Sequence, residues 1–290
     1  MIADAIGSII CLPKLLQEPP LIEPSKIKKI LVIRTAYIGD VVMTLPILKP
    51  LKDKFPWARI TFLTSSNARP VLEHNPYIDE IITFNAFWFY SSLKDNYFRF
   101  IKDFRRREFD LVIEARGDIR DLLFLVRPLK SEYKISSGIG GGRYLLTHVV
   151  PTDGRKHRVE YHLDMVKFLG CRTDKLEWGI YLTDGEQERL DRALRTAGIS
   201  GKFIAVHPGS RQSLKTWPVD KCASLYDRIM EGTELPLVIL GAMDEKAQVR
   251  DIMGRMRRRP VDLAGQLNLR EVAGTIARSV FFICNDSAPM

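Results

Sequence analysis

Residues Lys28–Thr64 read KKILVIRTAYIGDVVMTLPILKPLKDKFPWARITFLT, and this stretch decides the fold class. Two short apolar runs, Ile30–Arg34 and Arg59–Thr64, flank an amphipathic stretch from Asp40 to Lys54. Short apolar runs bounded by turn residues are typical of buried strands, and the amphipathic spacing between them predicts a crossover helix. A strand, a helix and a second strand in this order predict a βαβ unit with a parallel sheet.

The same alternation continues in two series along the chain. The first series adds predicted strands at Ile81–Phe84 and Leu111–Glu114 and predicted helices at Ser91–Arg107 and Val159–Leu169. This alternation of predicted strands and helices is interrupted between Tyr133 and Pro151. The second series alternates again, and its predicted elements are helix Glu186–Ala197, strand Phe203–His207, helix Pro218–Glu231, strand Leu237–Gly241, helix Asp244–Met256, strand Val261–Leu263, helix Leu269–Arg278 and strand Val280–Cys284.

Two consecutive series predict an α/β protein with two Rossmann-like domains that face a cleft, with ligands at the carboxyl ends of the strands. The predicted boundaries are an N-terminal extension at 1–25, a first domain at 26–170, a linker at 171–185 with a short strand at Ile180–Leu182, and a second domain at 186–290. The last strand is fully apolar, which predicts a central strand covered on both faces. Because no helix follows it, we expect the second domain to be an incomplete part of a longer protein.

Composition narrows the class of protein. The chain has 290 residues, of which 46% are apolar and 27% charged, and this excludes a disordered chain, a collagen and a disulfide-stapled miniprotein. The chain has 44 Lys and Arg residues and 35 Asp and Glu residues, which gives a formal charge of +9. This charge favours a phosphate-bearing substrate, nucleic acid or an anionic membrane surface, although it also serves plain solubility. The scattered cysteines predict reduced thiols in a cytosolic protein, at Cys11, Cys171, Cys222 and Cys284.

No apolar run reaches the ~18 residues that a membrane span needs. The apolar N-terminus, Ile2–Leu12, lacks a preceding basic residue and therefore does not resemble a signal peptide. We interpret it as a surface helix on a Pro-rich tether. An interfacial anchor on anionic lipid is the alternative, since Lys26, Lys28 and Lys29 follow it.

The first candidate loop, Arg34–Pro46, follows the first strand and opens a helix. Gly39 allows close backbone approach, and Asp40 occupies the expected N-cap position. A capping role therefore competes with a functional one, in which the carboxylate takes a proton from a substrate hydroxyl.

The second candidate loop, His207–Pro218, carries Ser210, Arg211 and Lys215 between a strand and a helix, which suits a diphosphate but lacks P-loop spacing. A solvated basic loop is the alternative. The third loop, Cys284–Met290, offers Asn, Asp and Ser side chains that could cap a helix or bind sugar hydroxyls.

Other motifs favour no metal and no nucleic acid. His157 and His162 lack the H-E-x-x-H pattern, and no Asp-x-Asp occurs, so a metal-bound nucleotide sugar is disfavoured. Basic residues Arg105–Arg107 follow Phe98, Phe100 and Phe104, an interleaving that RNA could use. A solvated helix face with a core stripe is the favoured interpretation. The glycines of Gly138–Gly142 predict a mobile loop, for which a lid over the substrate is one role.

Five motifs, in order, resemble the ADP-heptose:lipopolysaccharide heptosyltransferases of glycosyltransferase family nine. They are ILVIR with IGDVVMTLPILKPLKDKFPWARITFLT, then HPGS…KTWP, LGAMDE, LAGQLNLREVAGTIA and NDSAPM, and they cover most of Lys29–Met290. The resemblance implies a GT-B fold and inverting, metal-independent transfer of heptose from ADP-heptose to the inner core of lipopolysaccharide, with no cofactor. An enzyme using another nucleotide sugar for a different envelope glycan, or a non-catalytic nucleotide-binding module, are the alternatives.

The resemblance also implies roles for individual residues. Asp40 matches the catalytic base, and Lys215 matches the lysine that stabilises charge on the leaving diphosphate. The donor-binding residues implied are Gly39, Ser210 and Arg211 beside the diphosphate, Glu245 near the ribose, Leu267 beside adenine, and Asp286 and Ser287 at the sugar and diphosphate.

The sequence departs from the family pattern at two positions. Ala288 stands where the family has Gly, and the His that follows the Met would be residue 291. Arg116, Arg120 and Arg143 are expected to steer a lipid-linked anionic acceptor. The implied location is the cytoplasm, with peripheral contact at the inner membrane.

Overall fold

The computed structural model describes residues 19–90, 96–153 and 155–290. The predicted N-terminal helix Ile2–Leu12 and part of the predicted helix Ser91–Arg107 lie outside these residues. The chain divides into two units, one up to Gly179 and one spanning Ile180–Met290. Each unit has its own parallel sheet with helices between the strands, which confirms the α/β class.

The first unit is built on a six-stranded parallel sheet in the order β3-β2-β1-β4-β5-β6. Its strands are β1 Lys29–Arg34, β2 Arg59–Thr64, β3 Glu80–Thr83, β4 Leu111–Glu114, β5 Tyr133–Ser136 and β6 His148–Val149. Ile30 in β1 lies between Ile60 and Leu111. Because β1 is buried on both faces from Ile30 to Arg34, it occupies the centre of the sheet, as its apolar sequence predicts.

The helices of the first unit are α1 Ile38–Val42, α2 Leu48–Lys54, α3 Tyr97–Phe104, α4 Ile119–Asp121, which continues as a π-helical turn over Leu122–Val126, and α5 Arg158–Phe168. The single helix predicted from Asp40 to Lys54 is wrong: α1 and α2 are separated by a 3₁₀ turn, Leu45–Ile47. Pro46 has no amide hydrogen to continue the α-helical ladder. Thr44 Oγ1 donates to the Asp40 carbonyl (2.9 Å), which also favours a break here.

Two strands, β5 and β6, lie in the segment where the sequence shows no alternation of apolar runs and amphipathic stretches. β5 pairs with β4, and β6 pairs with β5 over only two residues. The described part of the predicted N-terminal tether is held against these strands. Tyr133 Oη donates to the Leu21 carbonyl (3.0 Å), and the His148 ring lies 2.9 Å from the Pro20 carbonyl.

The second unit has a four-stranded parallel sheet in the order β10-β7-β8-β9. Its strands are β7 Ile204–His207, β8 Leu237–Ile239, β9 Val261–Asp262 and β10 Phe282–Cys284, and its helices are α6 Asp184–Thr196, α7 Val219–Thr233, α8 Lys246–Arg255 and α9 Leu269–Arg278. In this chain β10 is an edge strand that pairs with β7 and is half-buried, contrary to the central position predicted for it.

The strand predicted at Ile180–Leu182 is absent from the described residues. Leu182 instead packs into the apolar cluster beside Leu190, and Thr183 caps α6 with a reciprocal capping box to Glu186. This turn also joins two helices, because buried Glu186 accepts hydrogen bonds from Arg270 and Asn268 at the start of α9. The Arg270 hydrogen bond lowers the pKa of Glu186 to about 2.

Candidate active site

In the first unit, Asp40 lines a pocket of about 280 Å³ at the carboxyl ends of β1 and β4. The chain turns at Tyr37, which is the N-cap of α1, so the prediction that Asp40 caps this helix is wrong. Asp40 lies in the first turn instead. There the positive end of the backbone dipoles favours its negative charge, and its side chain remains partly accessible.

The carboxylate of Asp40 is fixed by Arg34, the last residue of β1. Arg34 Nη2 donates to Asp40 Oδ1 at 2.7 Å, and the guanidinium is almost fully buried while Asp40 is 28% exposed. A cation held by the sheet therefore positions one carboxylate oxygen. The second oxygen, Oδ2, is left for a ligand in the pocket.

Two buried acids lie behind this pair. Glu114, the last residue of β4, accepts hydrogen bonds from the Gly117 amide (2.7 Å) and from Ser136 (2.7 Å). Burial raises its pKa. Asp121 accepts a hydrogen bond from the Trp88 indole (2.9 Å), and its burial, together with the charge of Glu114, raises its pKa to about 8. Both buried acids therefore bind a proton more readily than an exposed carboxylate does.

The remaining pocket wall comes from α5. His162 Nδ1 contacts the Met43 carbonyl (2.9 Å), and burial lowers its pKa to about 4, so the ring is neutral at pH 7. Tyr161 donates to the Arg116 carbonyl (3.1 Å), and Arg158 lies over the Tyr161 ring at 5.4 Å. Arg158 is exposed and also lines the pocket. Asp118 also lines the pocket, and Arg116 Nε lies 3.4 Å from its carboxylate. The pocket thus combines the accessible Asp40 carboxylate with a second, paired acid and several arginines.

The three arginines expected at the acceptor occupy different positions. Arg116 lines the Asp40 pocket and stacks on Phe89 at 4.0 Å. Arg120 binds Asp118 with two hydrogen bonds and is committed to that carboxylate. Arg143 is exposed after the left-handed residue Gly142, and it is not among the residues lining this pocket.

In the second unit, the loop after β7 meets the turn after β10. Lys215 Nζ lies 2.6 Å from Asp286 Oδ2, and Ser210 Oγ donates to the Asp286 carbonyl (3.0 Å). Asn285 donates to the Pro208 carbonyl, which ties the two segments together. The structure therefore brings together Ser210, Lys215 and Asp286, at the carboxyl ends of two adjacent parallel strands.

A second cluster forms at the carboxyl end of the same sheet. Glu245 Oε2 accepts a hydrogen bond from the Ala242 amide (2.7 Å) and lies 3.1 Å from His207 Nε2, at the end of β7. The His207 hydrogen bond lowers the pKa of Glu245. Gly209 makes room for this carboxylate, because a Cβ there would lie 1.8 Å from Glu245 Oε1 and the Glu245 side chain would have to shift.

The other predicted donor residues take simpler positions. Leu267 is half-buried and packs against the apolar cluster of the second unit. Ser287 donates to the Asn285 carbonyl (3.1 Å), Arg211 is exposed in the loop after β7, and Gly39 precedes Asp40 in α1.

Sequence reasoning missed several residues of these clusters: Arg34, Arg158, Tyr161, His162 and His207. Arg34 and His207 had a detectable signal, because each is a polar residue that ends an otherwise apolar strand. The α5 residues had none, since their place in the pocket depends on long-range packing.

Within the described ranges, no group of three or more His, Cys, Asp or Glu side chains is arranged to hold a metal ion. The same residues include no helix long and apolar enough to cross a membrane.

The profile of glycosyltransferase family 9 (heptosyltransferase) matches residues 97–290, about two thirds of the chain. Lipopolysaccharide heptosyltransferase 3 of Escherichia coli K12 is 29% identical over 262 residues, which are 87% of this chain and 75% of that protein.

Two solved structures are similar in fold. A glycosyl transferase family 9 structure from Veillonella parvula aligns with a TM-score of 0.79 at 21% identity, over 91% of this chain and 76% of that one. The Escherichia coli heptosyltransferase WaaC with ADP-2-deoxy-2-fluoro heptose aligns with a TM-score of 0.66 at 17% identity, over 90% of this chain and 83% of that one. The family match, supported by these similarities, shows that the chain belongs to glycosyltransferase family 9, the heptosyltransferases.

Proposed function

We propose that this glycosyltransferase moves heptose from ADP-heptose to the inner core of lipopolysaccharide, with inversion at the anomeric carbon and without a metal. The observation that carries the proposal is the Arg34–Asp40 pair in a pocket that Arg116 and Arg158 also line. Such a pocket suits an anionic acceptor whose hydroxyl must lose a proton. A similar fold in a relative solved with an ADP-heptose analogue supports the choice of donor.

Asp40 is the general base in this mechanism. Arg34 holds Oδ1, and Oδ2 accepts the proton of an acceptor hydroxyl as its oxygen attacks the anomeric carbon of the donor. The bond from that carbon to the diphosphate oxygen breaks, and its electron pair leaves with ADP. A single displacement of this kind inverts the anomeric configuration.

We assign the binding of the leaving diphosphate to the loops of the second unit. Lys215 now contacts Asp286, and both side chains are substantially exposed, so a diphosphate can compete for the ammonium group. Ser210 and Arg211 add a hydroxyl and a second cation beside it. These groups stabilise charge that grows in the transition state, which replaces a metal ion electrostatically.

The nucleoside is assigned to the second cluster of the same unit. Glu245 uses Oε2 in its contacts with Ala242 and His207, so Oε1 can accept ribose hydroxyls. Leu267 offers an apolar surface beside the adenine. Asp286 and Ser287 then face the transferred sugar and its diphosphate.

The acceptor is assigned to the Asp40 pocket. Arg116 and Arg158 line it, and we propose these two as the cations that contact the acceptor there. Arg120 and Arg143, which were predicted together with Arg116, are not among the lining residues. The acceptor class is a lipid-linked glycan bearing phosphates or carboxylates. We propose that the reaction takes place at the cytoplasmic face of the inner membrane.

The decisive experiment replaces Asp40 with Asn. Loss of a general base lowers kcat by about 10²–10⁴-fold. The affinity for ADP, measured by calorimetry, stays unchanged because the donor loops are intact. Asp53→Asn is the matched control, since Asp53 is an exposed carboxylate paired with a lysine on α2. A kcat near that of the parent in the Asp40 variant would refute the assigned base.

Donor choice is tested by titrating ADP and UDP side by side. Tighter ADP supports the adenine site, and tighter UDP would keep the fold but discard ADP-heptose. Unchanged turnover in EDTA and an inverted anomeric product, identified by nuclear magnetic resonance, are expected. Dependence on an added divalent cation would contradict the metal-free mechanism.

A further inference from the structure

An apolar groove of about 770 Å³ lies on the first unit, away from the assigned catalytic residues. Its side chains come from the segment after β3, from α3 and from the π-helical turn. Two of them are unusually accessible for aromatic residues: Phe98 is 81% exposed and Phe87 is 44% exposed. Tyr97 and Phe124, which are half-buried, also line the groove, as does Arg127.

Core packing does not explain these exposed rings. The buried face of α3 is already occupied, because Phe100 stacks on Phe84 with ring centroids 4.4 Å apart and on Phe104 at 4.9 Å. Phe98 lies outside this stack and faces solvent. The helix therefore has an apolar side chain on its outer surface in addition to a complete inner stripe.

One cation, Arg127, lines the groove, and two more are exposed on the adjoining helix α3. Arg99, Lys102 and Arg127 are exposed, and none of the three has a carboxylate partner within ion-pair distance among the described residues. By contrast, the neighbouring Arg106 and Arg107 contact Asp103 and Glu80. Positive charge that no described carboxylate pairs with, beside exposed aromatic rings, matches a surface that is negatively charged outside and apolar beneath.

We propose that this face, defined by Phe87, Phe98, Arg99, Lys102 and Arg127, docks on the surface of an anionic phospholipid bilayer. Aromatic rings insert at the level of the headgroups while the cations contact lipid phosphates. RNA is the competing partner, but successive bases need free ring faces. The Phe87 ring instead forms T-shaped contacts with Tyr97 and Phe124, with ring centroids 6.4 and 5.7 Å apart. Phe98 is the more accessible of the two rings on this face, and one accessible ring does not make a stacking platform for successive bases.

The docking face is connected to the Asp40 pocket by three consecutive aromatic residues. Phe87 lines the groove, Trp88 donates to buried Asp121, and Phe89 lies under Arg116 in the pocket wall. A bilayer bound at the groove would keep a lipid-linked acceptor close to this pocket. This last step rests on the proposed function, whereas the docking itself does not.

The test is sedimentation of the chain with vesicles, either of phosphatidylcholine alone or of phosphatidylcholine mixed with an equal amount of phosphatidylglycerol. We expect binding to the anionic vesicles that weakens as salt is added. One cation near an anionic bilayer contributes about fivefold to binding, and two contribute about 25-fold together. The double variant Arg99→Glu with Lys102→Glu should therefore lower the partition coefficient by about 25-fold or more. Phe98→Ser should lower it about tenfold.

The chain offers matched controls for both changes. Arg192 and Arg195 on α6 are exposed and have the same spacing as Arg99 and Lys102, so reversing both makes an identical change in net charge. Trp57 is 90% exposed outside the docking face, and Trp57→Ser is the control for Phe98→Ser. The control variants should change the partition coefficient by about threefold or less, because charges far from the bilayer are screened by salt.

Equal losses in the docking-face and control variants would overturn the proposal, as would a parent chain that binds neutral and anionic vesicles alike. Tighter binding to single-stranded RNA, lost in the same variants, would overturn it in favour of nucleic acid. The apolar N-terminal stretch is common to all variants and cannot produce a difference between them. A delipidated, water-soluble acceptor separates the two proposals, because docking-face variants should turn it over at the parent rate whereas Asp40→Asn should not.

Discussion

Gly209 gives a direct test of the donor site, because its missing side chain makes room for Glu245. A methyl group at position 209 would lie 1.8 Å from Oε1 and 2.3 Å from Cδ of Glu245. An ordinary contact is about 3.5 Å, so the carboxylate must move by about 1.7 Å. A shift of this size breaks the 2.7 Å hydrogen bond from the Ala242 amide and the contact with His207.

The expected cost follows from the lost contacts. A hydrogen bond to a charged group contributes about 1.5–3 kcal/mol, and the displaced carboxylate can no longer meet ribose hydroxyls as the proposed site requires. We therefore expect Gly209→Ala to weaken ADP binding by about 10–100-fold. Calorimetric titration of ADP measures this directly. Gly201→Ala is the matched control, since Gly201 lies in the loop before β7 and a methyl group added there would meet no described heavy atom within 4 Å.

A double-mutant cycle identifies the cause. If the methyl group added by Gly209→Ala acts by displacing Glu245, the substitution should add nothing in a Glu245→Ala background, and the two effects will be strongly non-additive. Parent-like ADP affinity in Gly209→Ala would refute the assigned role of Glu245. Additive losses would show that Gly209 acts independently, for example through its own approach to the phosphates.

Three further predictions concern charge pairs. Arg34→Lys retains the cation but loses the planar hydrogen-bond geometry toward Asp40, so kcat should fall about 10-fold or more with ADP affinity unchanged in titration. Lys215→Ala should raise the Kd for ADP and lower kcat by about 10²-fold, measured by titration and turnover, because the diphosphate loses its main cation. Glu186→Gln removes the carboxylate charge that the nearly buried Arg270 contacts and should cost about 3 kcal/mol in urea unfolding at pH 7. The pKa of Glu186 in the folded protein is about 2, below its ordinary value of 4.5. The stabilisation from its charge is therefore present above pH 4.5 and is lost as the pH falls toward 2. In Glu186→Gln, the free energy of unfolding should lack this loss between pH 4.5 and pH 2.

The strands of both sheets could be predicted well because their signal is local. Arg59–Thr64, Leu111–Glu114 and helix Leu269–Arg278 have the predicted bounds, since apolar runs and capping residues define them directly. β5 and β6 were missed, because β6 has only two paired residues and β5 alternates with a Lys. Their positions depend on pairing with β4, which no local pattern reveals.

The candidate site divides in the same way. The loops that carry Asp40, Lys215 and Asp286 follow from strand–loop–helix order, and contact between Lys215 and Asp286 follows from the adjacency of β7 and β10. The buried acids behind Asp40 could not be predicted, because acidic residues are normally exposed. Only the folded sheet shows that Glu114 and Asp121 are buried and hydrogen-bonded.

The two units share one device for positioning a carboxylate. Arg34 ends β1 and holds Asp40, and His207 ends β7 and contacts Glu245. In each case the strand residue is fixed by the sheet, while the carboxylate lies in or beside the first turn of a helix, where backbone dipoles favour its charge. Both carboxylates are therefore oriented before any substrate arrives, which reduces the reorganisation needed in the transition state. A polar residue that ends an apolar strand is the sequence signal for this device, and it identifies the partner that motif reasoning about the carboxylate alone leaves out.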